Sequence, residues 1–320
     1  MKINKKISIV IPSYNEEKYI FPLYERLTSV LKKITNRYEI IYVNNGSTDN
    51  SEKFFYKLAN KDKNVKIIFL SRNFGSQGAH SAGISIASGD AIVCMDGDLQ
   101  DPPEVIPRFV EKWLNGYDVV YGIREKRKGN ILKNIAYKLF YRILKRFSYV
   151  NIPLDAGDFA LFDKKVSSIL KIMPEKDRFI RGMRAYSGFK QIGIPYVRED
   201  RLLDKPKYNL FDNFNMASRW FFSFSYFPLE IISFLAFLIA FFSFGAIVYY
   251  IFRFFAFHDS PAGWSTLITI VLFLGAIQLI ALSIIGKYVG RIFEEVKQRP
   301  AFIIDFILQG NKNGKKKTQK

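Results

Sequence analysis

The chain has 320 residues, 49% hydrophobic and 24% charged, a balance that excludes intrinsic disorder over most of its length. Its net charge of +19 points to a polyanionic partner: nucleic acid, an anionic membrane or a phosphorylated substrate. A lone cysteine, Cys94, excludes an internal disulfide, and two histidines, His80 and His258, exclude a histidine-rich metal site.

Residues 7–12 (ISIVIP) form a continuous apolar run, the pattern of a strand buried on both faces. The basic stretch before it is followed by too short an apolar run for a signal peptide. A helix is predicted from about Glu16 to Lys33, and residues 38–43, 65–70, 91–95 and 119–121 read as further strands with helices between them. That alternation predicts a doubly wound, mainly parallel α/β sheet, which binds its ligands beyond the carboxyl ends of the strands. Residues 13–16, 44–49 and 96–100 fall at such ends. No GxGxxG opens a helix after a strand and no GxxxxGK[ST] occurs, which excludes a dinucleotide fingerprint and a P-loop.

The sharpest motif is MDGDLQDPPEV, residues 95–105. Asp96 ends an apolar strand and Asp98 lies just beyond Gly97. Two carboxylates so spaced can hold one hard divalent cation through oxygen. Mg²⁺ or Mn²⁺ held there keeps waters, binds a diphosphate and neutralises its charge as it leaves.

Leu210, Phe214, Ala217, Phe221 and Phe224 recur at helical spacing beside Arg219 and Trp220. They predict an amphipathic helix lying in the headgroup layer or packed on the soluble domain. Residues 231–252 and 264–286 carry no charge, and at a rise of about 1.5 Å per residue each run spans a hydrocarbon core. With Pro261 and Gly263 in the short join, they predict a transmembrane hairpin. Lys287, Arg291, Lys297, Arg299 and the lysines after Gly310 put both chain ends in the cytoplasm by the positive-inside rule. The positive charge is therefore assigned to lipid and phosphate, and nucleic acid is excluded as a partner.

SIVIPSYNEE, NNGSTD, SRNFGSQGAHSAGISIASGDAIVCMDGDLQDPPE, DAGDFALFD, RFIRGM and EEVKQRP together resemble the GT-A, family 2 polyprenyl-phosphate glycosyltransferases. Bactoprenol glucosyltransferases are the nearest subgroup and dolichol-phosphate mannose synthases more distant cousins. The resemblance covers nearly the whole chain, both apolar runs included. It implies inverting transfer of a hexose from a nucleotide-sugar to a polyprenyl phosphate such as undecaprenyl phosphate, for cell-envelope glycan modification. It also implies a multi-pass plasma-membrane protein of a bacterium, its catalytic domain cytoplasmic, that forms a homo-oligomer.

Residue by residue, the resemblance implies that Pro12, Tyr14 and Glu16 line the nucleotide pocket and that Asp96, Asp98 and Gln100 hold the metal. Arg124 would bind phosphate and Asp158 would be the active-site carboxylate facing the acceptor. The basic loop of Lys126, Arg127 and Lys128 is either a solvated face or a clamp on the lipid phosphate, a task for which Lys133 is a further candidate. His80 is either structural or a substrate contact.

Two positions depart from the family pattern. Asn44 and Asn45 stand where the family commonly has Asp. An amide at Asn45 facing the base could accept from uracil N3–H and donate to a carbonyl, whereas guanine would leave a donor unpaired. That argument favours UDP-glucose or UDP-N-acetylglucosamine as donor. Ala160 stands where the bactoprenol subgroup has Arg, so a cationic contact is either lost or supplied by Arg178 or Arg181.

The resulting domain map is a GT-A domain over 1–205, an interfacial helix region over 206–228, two transmembrane helices within 229–290 and a basic segment over 291–320. Two other classes share parts of this pattern. One is a processive polysaccharide synthase, whose QxxRW motif Arg219-Trp220 mimics, with Met216 in place of Gln. The other is a non-catalytic nucleotide-binding membrane scaffold.

Overall fold

A computed structural model describes residues 2–125, 150, 156–199, 225–257 and 263–310. Arg127, Lys133, Arg219-Trp220, the predicted amphipathic helix up to Phe224 and the terminal lysines lie outside the described residues. The chain divides into two compact units, one holding the sheet and the other holding the two long apolar helices.

In the first unit β1 (Ile7–Ser13), β2 (Tyr38–Asn44), β3 (Val65–Leu70) and β4 (Ala91–Cys94) alternate with α1 (Ile20–Ile34), α2 (Ser51–Lys61) and α3 (Gly75–Ile86). A short 3₁₀ turn, Pro103–Val105, leads into α4 (Ile106–Leu114) and β5 (Val119–Arg124). Then come β6 (Ala156–Asp163), α5 (Lys164–Ile172), α6 (Ile180–Tyr186) and β7 (Gln191–Tyr196). The four strands from β1 to β4 match the predicted apolar runs to within a residue, because burial on both faces leaves little choice of side chain.

The sheet order is β7-β5-β6-β4-β1-β2-β3-β8, where β8 is Ile304–Gln309. The β1, β2, β3 and β4 pairings are parallel, as is β5 with β7, while β6 and β8 run antiparallel to their neighbours. The α/β class expected from the sequence is the one observed. Alternate strand residues feed two cores. Ile7, Ile9, Ile11, Ile40 and Tyr42 pack with α1, α2 and α4 on one face, and Val10, Ile41, Val43 and Ile92 with α3, α5 and α6 on the other.

Two findings depart from the sequence expectations. Helix α1 begins at Ile20 instead of Glu16, because residues 14–17 are tied into a loop by contacts described below. The segment expected as a basic tail contains β8, which closes the sheet edge beside β3 and stacks Phe306 on Phe69 with centroids 4.2 Å apart.

In the second unit α7 (Phe227–Phe257) and α8 (Trp264–Val296) have 31 and 33 residues, long and apolar enough to cross a membrane. They outrun the uncharged stretches at their ends, where Glu230, Lys287 and Arg291 sit. The Tyr288 hydroxyl of α8 donates to the Ser225 carbonyl just before α7 at 2.8 Å, so the helices run antiparallel as a hairpin.

Candidate active site

The loops after β1 and β2 are laced into one wall. The backbone N–H groups of Asn15, Glu16 and Glu17 donate to Ser47 Oγ, Ser51 Oγ and Asp49 Oδ2 at 3.1, 3.3 and 3.2 Å. Asn15 Oδ1 accepts from the Thr48 N–H at 2.7 Å. Asn15 itself has φ +54°, a left-handed conformation that short polar side chains tolerate best. These bonds hold Tyr14 and Glu16 at the end of β1, where the sequence places them. Gly46, at φ +70°, passes so close to the next loop that a Cβ would lie 2.8 Å from the Arg72 carbonyl carbon and the Asn73 nitrogen.

That close approach decides the role of the two asparagines. Asn44 is buried, and its Oδ1 accepts from the Ser47 N–H at 3.0 Å, capping the turn. Asn45 is buried too, and its Nδ2 donates to Asn73 Oδ1 at 3.0 Å and to the Gly75 carbonyl at 3.2 Å. Its Oδ1 accepts from the Phe74 N–H at 2.9 Å. Both amide hydrogens are committed to the 73–75 loop, so the base-reading role expected of Asn45 loses its basis. Asn45 is a loop clamp.

The carboxylate loop follows β4. The site of a Cβ on Gly97 is already taken by the Glu16 carboxylate and the Pro12 carbonyl, so glycine here is what brings the β1 wall against Asp96 and Asp98. Leu99 takes φ +60° and turns the loop sharply between Asp98 and Gln100. The Gln100 N–H donates to Asp98 Oδ1 at 3.2 Å, but its side-chain amide is engaged with the Glu199 carbonyl at 3.4 Å. Beneath the loop His80, fully buried on α3, sets Nε2 3.8 Å from Asp96 Oδ1. Burial would raise the Asp96 pKa, yet His80 and Arg124 hold it below the usual carboxylate range. Burial would likewise lower the His80 pKa, but the neighbouring Asp96, Cys94 and Asp158 raise it. His80 is therefore part of the frame under the loop.

Asp158, in β6, is held by three hydrogen bonds. Arg181 of α6 grips it as a fork, Nε to Oδ1 at 2.9 Å and Nη2 to Oδ2 at 3.2 Å, and Gln77 Nε2 donates to Oδ2 at 3.1 Å. Gln77 is oriented in turn by the Ile180 N–H, which donates to its Oε1 at 3.0 Å. Burial would raise the Asp158 pKa, but Arg181, His80 and Arg184 push it far below the carboxylate range. Of the two arginines that could replace the cation missing at Ala160, Arg181 reaches the site. Arg178 instead donates to the Leu170 and Met173 carbonyls that end α5.

Four residues of the site, Arg184, Asp101, Arg198 and Tyr196, went unread in the sequence, and Arg124, which was read, meets one of them. Arg184 is fully buried, donates Nη1 to the Gly157 carbonyl at 3.4 Å and lies 5.0 Å from the Tyr121 ring centroid. Asp101 is fully buried and accepts from the Tyr196 hydroxyl at 2.6 Å; burial and the Asp96 charge push its pKa up to about 6. Arg198 lies 3.8 Å from Asp96 and 3.7 Å from Asp101. Arg124 Nε donates to the same Tyr196 hydroxyl at 3.4 Å. These partners come from strands far apart in sequence, and only the Pro-Pro turn after Asp101 marked any of them.

Asp96 and Asp98 offer hard oxygen donors on one turn, which fits a cation such as Mg²⁺ or Mn²⁺. Among the described residues no group of three or more His, Cys, Asp or Glu side chains converges to hold a metal. A cation bound to the pair would therefore complete its shell with water and substrate oxygens, as magnesium does at phosphate sites.

Residues 8–170 match the glycosyl transferase family 2 domain. Over 301 residues the chain is 43% identical to an uncharacterized glycosyltransferase, YkcC, of Bacillus subtilis, covering 93% of this chain and 92% of that one. It is 36% identical over 307 residues to the bactoprenol glucosyl transferase of Shigella phage SfII, covering 96% of this chain and 99% of the relative. Among solved structures, glucosyl-3-phosphoglycerate synthase from Mycobacterium tuberculosis aligns with 68% of this chain and 77% of its own at TM-score 0.44 and 21% identity, too distant a likeness to argue from. The domain match and the near full-length relatives agree with the strand-end carboxylates: the chain belongs to glycosyl transferase family 2.

Proposed function

We propose that this protein transfers a hexosyl group, glucose first among candidates, from a nucleotide-sugar to a membrane polyprenyl phosphate, inverting the anomeric centre. The observation that carries the reading is the cluster of acids at the strand ends. There Asp158, ionised in the Arg181 fork, stands beside the Asp96–Asp98 loop, on a chain with two helices long enough to cross a bilayer. The near full-length similarity to a bactoprenol glucosyl transferase supports the acceptor and the sugar.

The acceptor phosphate has a second pKa of about 6, so near neutral pH it is mostly the nucleophilic dianion. One of its oxygens bonds to the anomeric carbon as the bond from that carbon to the diphosphate oxygen breaks, and the nucleoside diphosphate leaves with the electron pair. No strong base is needed, and Asp158 is a poor one, because its partners hold it ionised. Its task is to fix Arg181 and to present a negative charge to the electron-poor anomeric centre. Arg124, Arg181 and Arg184 offset the repulsion between two anionic substrates. A divalent cation on Asp96 and Asp98, when bound, supplies neutralisation of the departing diphosphate. Pro12, Tyr14, Glu16 and Asn44 form the nucleotide wall.

The test is incubation of membranes carrying the protein with radiolabelled nucleotide-glucose and undecaprenyl phosphate. Label should enter an organic-extractable lipid. Asp98→Asn or excess EDTA should lower the rate at least tenfold, since each 1.36 kcal/mol lost from transition-state stabilisation is a factor of about ten. Insoluble polymer instead would identify a processive synthase, and no transfer with any nucleotide-sugar would identify a scaffold.

A further inference from the structure

Arg198 reaches the carboxylate loop without a hydrogen bond to fix its guanidinium there among the described residues. Its guanidinium lies 3.8 Å from Asp96 Oδ2 and 3.7 Å from Asp101 Oδ1, beyond hydrogen-bond length, and its Nε is buried without a hydrogen-bond partner. Its place must come from the backbone on either side. On one side is β7, which ends at Tyr196. On the other, Glu199 is locked. Its N–H donates to the Gln100 carbonyl at 3.0 Å, and its carbonyl accepts from Gln100 Nε2 at 3.4 Å.

The Glu199 carboxylate is forked by Arg26 of α1, with Nη1 to Oε2 at 3.1 Å and Nη2 to Oε1 at 2.9 Å. The same guanidinium forks Glu104, with Nε to Oε1 at 3.1 Å and Nη2 to Oε2 at 2.7 Å. Arg26 thus clasps two segments at once: the turn that follows the Asp96–Asp101 loop, and the strap that carries Arg198 back over it.

An isolated exposed ion pair contributes little to stability. Arg26 is about one-third exposed and Glu199 rather more, so solvent screens the clasp, although its doubly bidentate geometry sets it apart from an isolated pair. Its geometry suits another purpose. A planar guanidinium with two bidentate carboxylates sets the relative position of both segments, which a lysine cannot do. We propose, on the reading of function above, that Arg26 is a positioning residue for glycosyl transfer. Through Glu199 it holds Arg198 over Asp96 and Asp101, although Arg26 touches none of the reacting groups.

The experiment pairs two readouts on the full-length, membrane-embedded protein. In the first, amide hydrogen exchange at Glu199, whose N–H donates to the Gln100 carbonyl, is compared between the unmodified protein and Arg26→Ala. Exchange there should rise at least tenfold, while the sheet amides of β1 and β4 stay protected. In the second, kcat/KM for the nucleotide-sugar should fall roughly ten- to a hundredfold in Arg26→Ala, the scale of a small misplacement near the chemistry. Arg26→Lys should recover only part of it. In an Arg198→Ala background the further change Arg26→Ala should cost less than twofold, because the residue it positions is gone. Full additivity of the two substitutions would overturn the proposal, and so would unchanged exchange at Glu199. If the unmodified protein transfers no sugar, the functional reading fails and the exchange measurement still decides the clasp.

Discussion

Asn45 uses its whole amide on one loop, donating to Asn73 and Gly75 and accepting from Phe74. A carboxylate in its place can accept but not donate, and it would press an acceptor against two others. Asn45→Asp should therefore destabilise the protein by about 1–3 kcal/mol, the cost of unsatisfied buried polar groups. The measurement is thermal melting of the detergent-solubilised protein, with competition by UDP, GDP and CDP alongside. A variant that melts like the unmodified protein but exchanges one base for another would return Asn45 to the role its sequence position suggested. At Asp158 the reverse happened. The sequence marks the acid, and the structure adds Arg181, Gln77 and Arg184 as the reason it stays ionised.

Between elements, the strand starts are tied by one buried acid. Glu39 of β2 accepts from Ser8 Oγ of β1 at 2.6 Å, from the Ser88 N–H at 2.9 Å and from Lys66 Nζ of β3 at 2.7 Å, with Lys6 Nζ at 3.1 Å. Burial would raise the Glu39 pKa, but Lys66, Ser8 and Ser88 overcome it and hold the value at about 2. The unfolded chain titrates this group near pH 4.3, so its stabilising contribution is complete above that pH. It is lost as pH falls toward 2. At about 1.36 kcal/mol per unit, the contribution is about 3 kcal/mol at neutral pH. The stability difference between the unmodified protein and Glu39→Gln should have that size at pH 7 and shrink toward zero at pH 2. A difference that stays constant across the range would refute the assignment. The same edge shows how an element can be overlooked. FIIDFIL at 302–308 has the composition of a strand, but it follows α8 among basic residues and reads as a tail until Phe306 is seen on Phe69.

For the whole molecule, connectivity constrains topology. Residues before α7 and residues after α8 build one sheet, through the antiparallel pairing of β3 with β8. A membrane hairpin whose two ends feed one domain leaves a bilayer on the side where it entered. We predict from Lys287, Arg291, Lys297 and Arg299, by the positive-inside rule, that this side is the cytoplasmic one. In a Cys94→Ala background, a cysteine placed at Ser260 should react with a membrane-impermeant maleimide on intact cells, and one placed at Lys316 should not. The opposite labelling pattern would invert the orientation.

The local sequence determined what depends on near neighbours. Continuous apolar runs specified the buried parallel strands. Uncharged stretches longer than 20 residues specified the two long helices, and the DGD and AGDF motifs located the acids, because each signal is carried by side chains within a few positions. The tertiary structure decided which groups face those acids. Asp96 takes its neighbours from α3, β5 and the strap after β7, Asp158 from α3 and α6, and Glu199 from α1. Charges that meet from separate elements leave no periodic trace in sequence, since each is set by the packing that aims its own backbone. The contacts of Asn45 were set the same way, by the approach of the 73–75 loop across Gly46, where any Cβ would have kept the two loops apart.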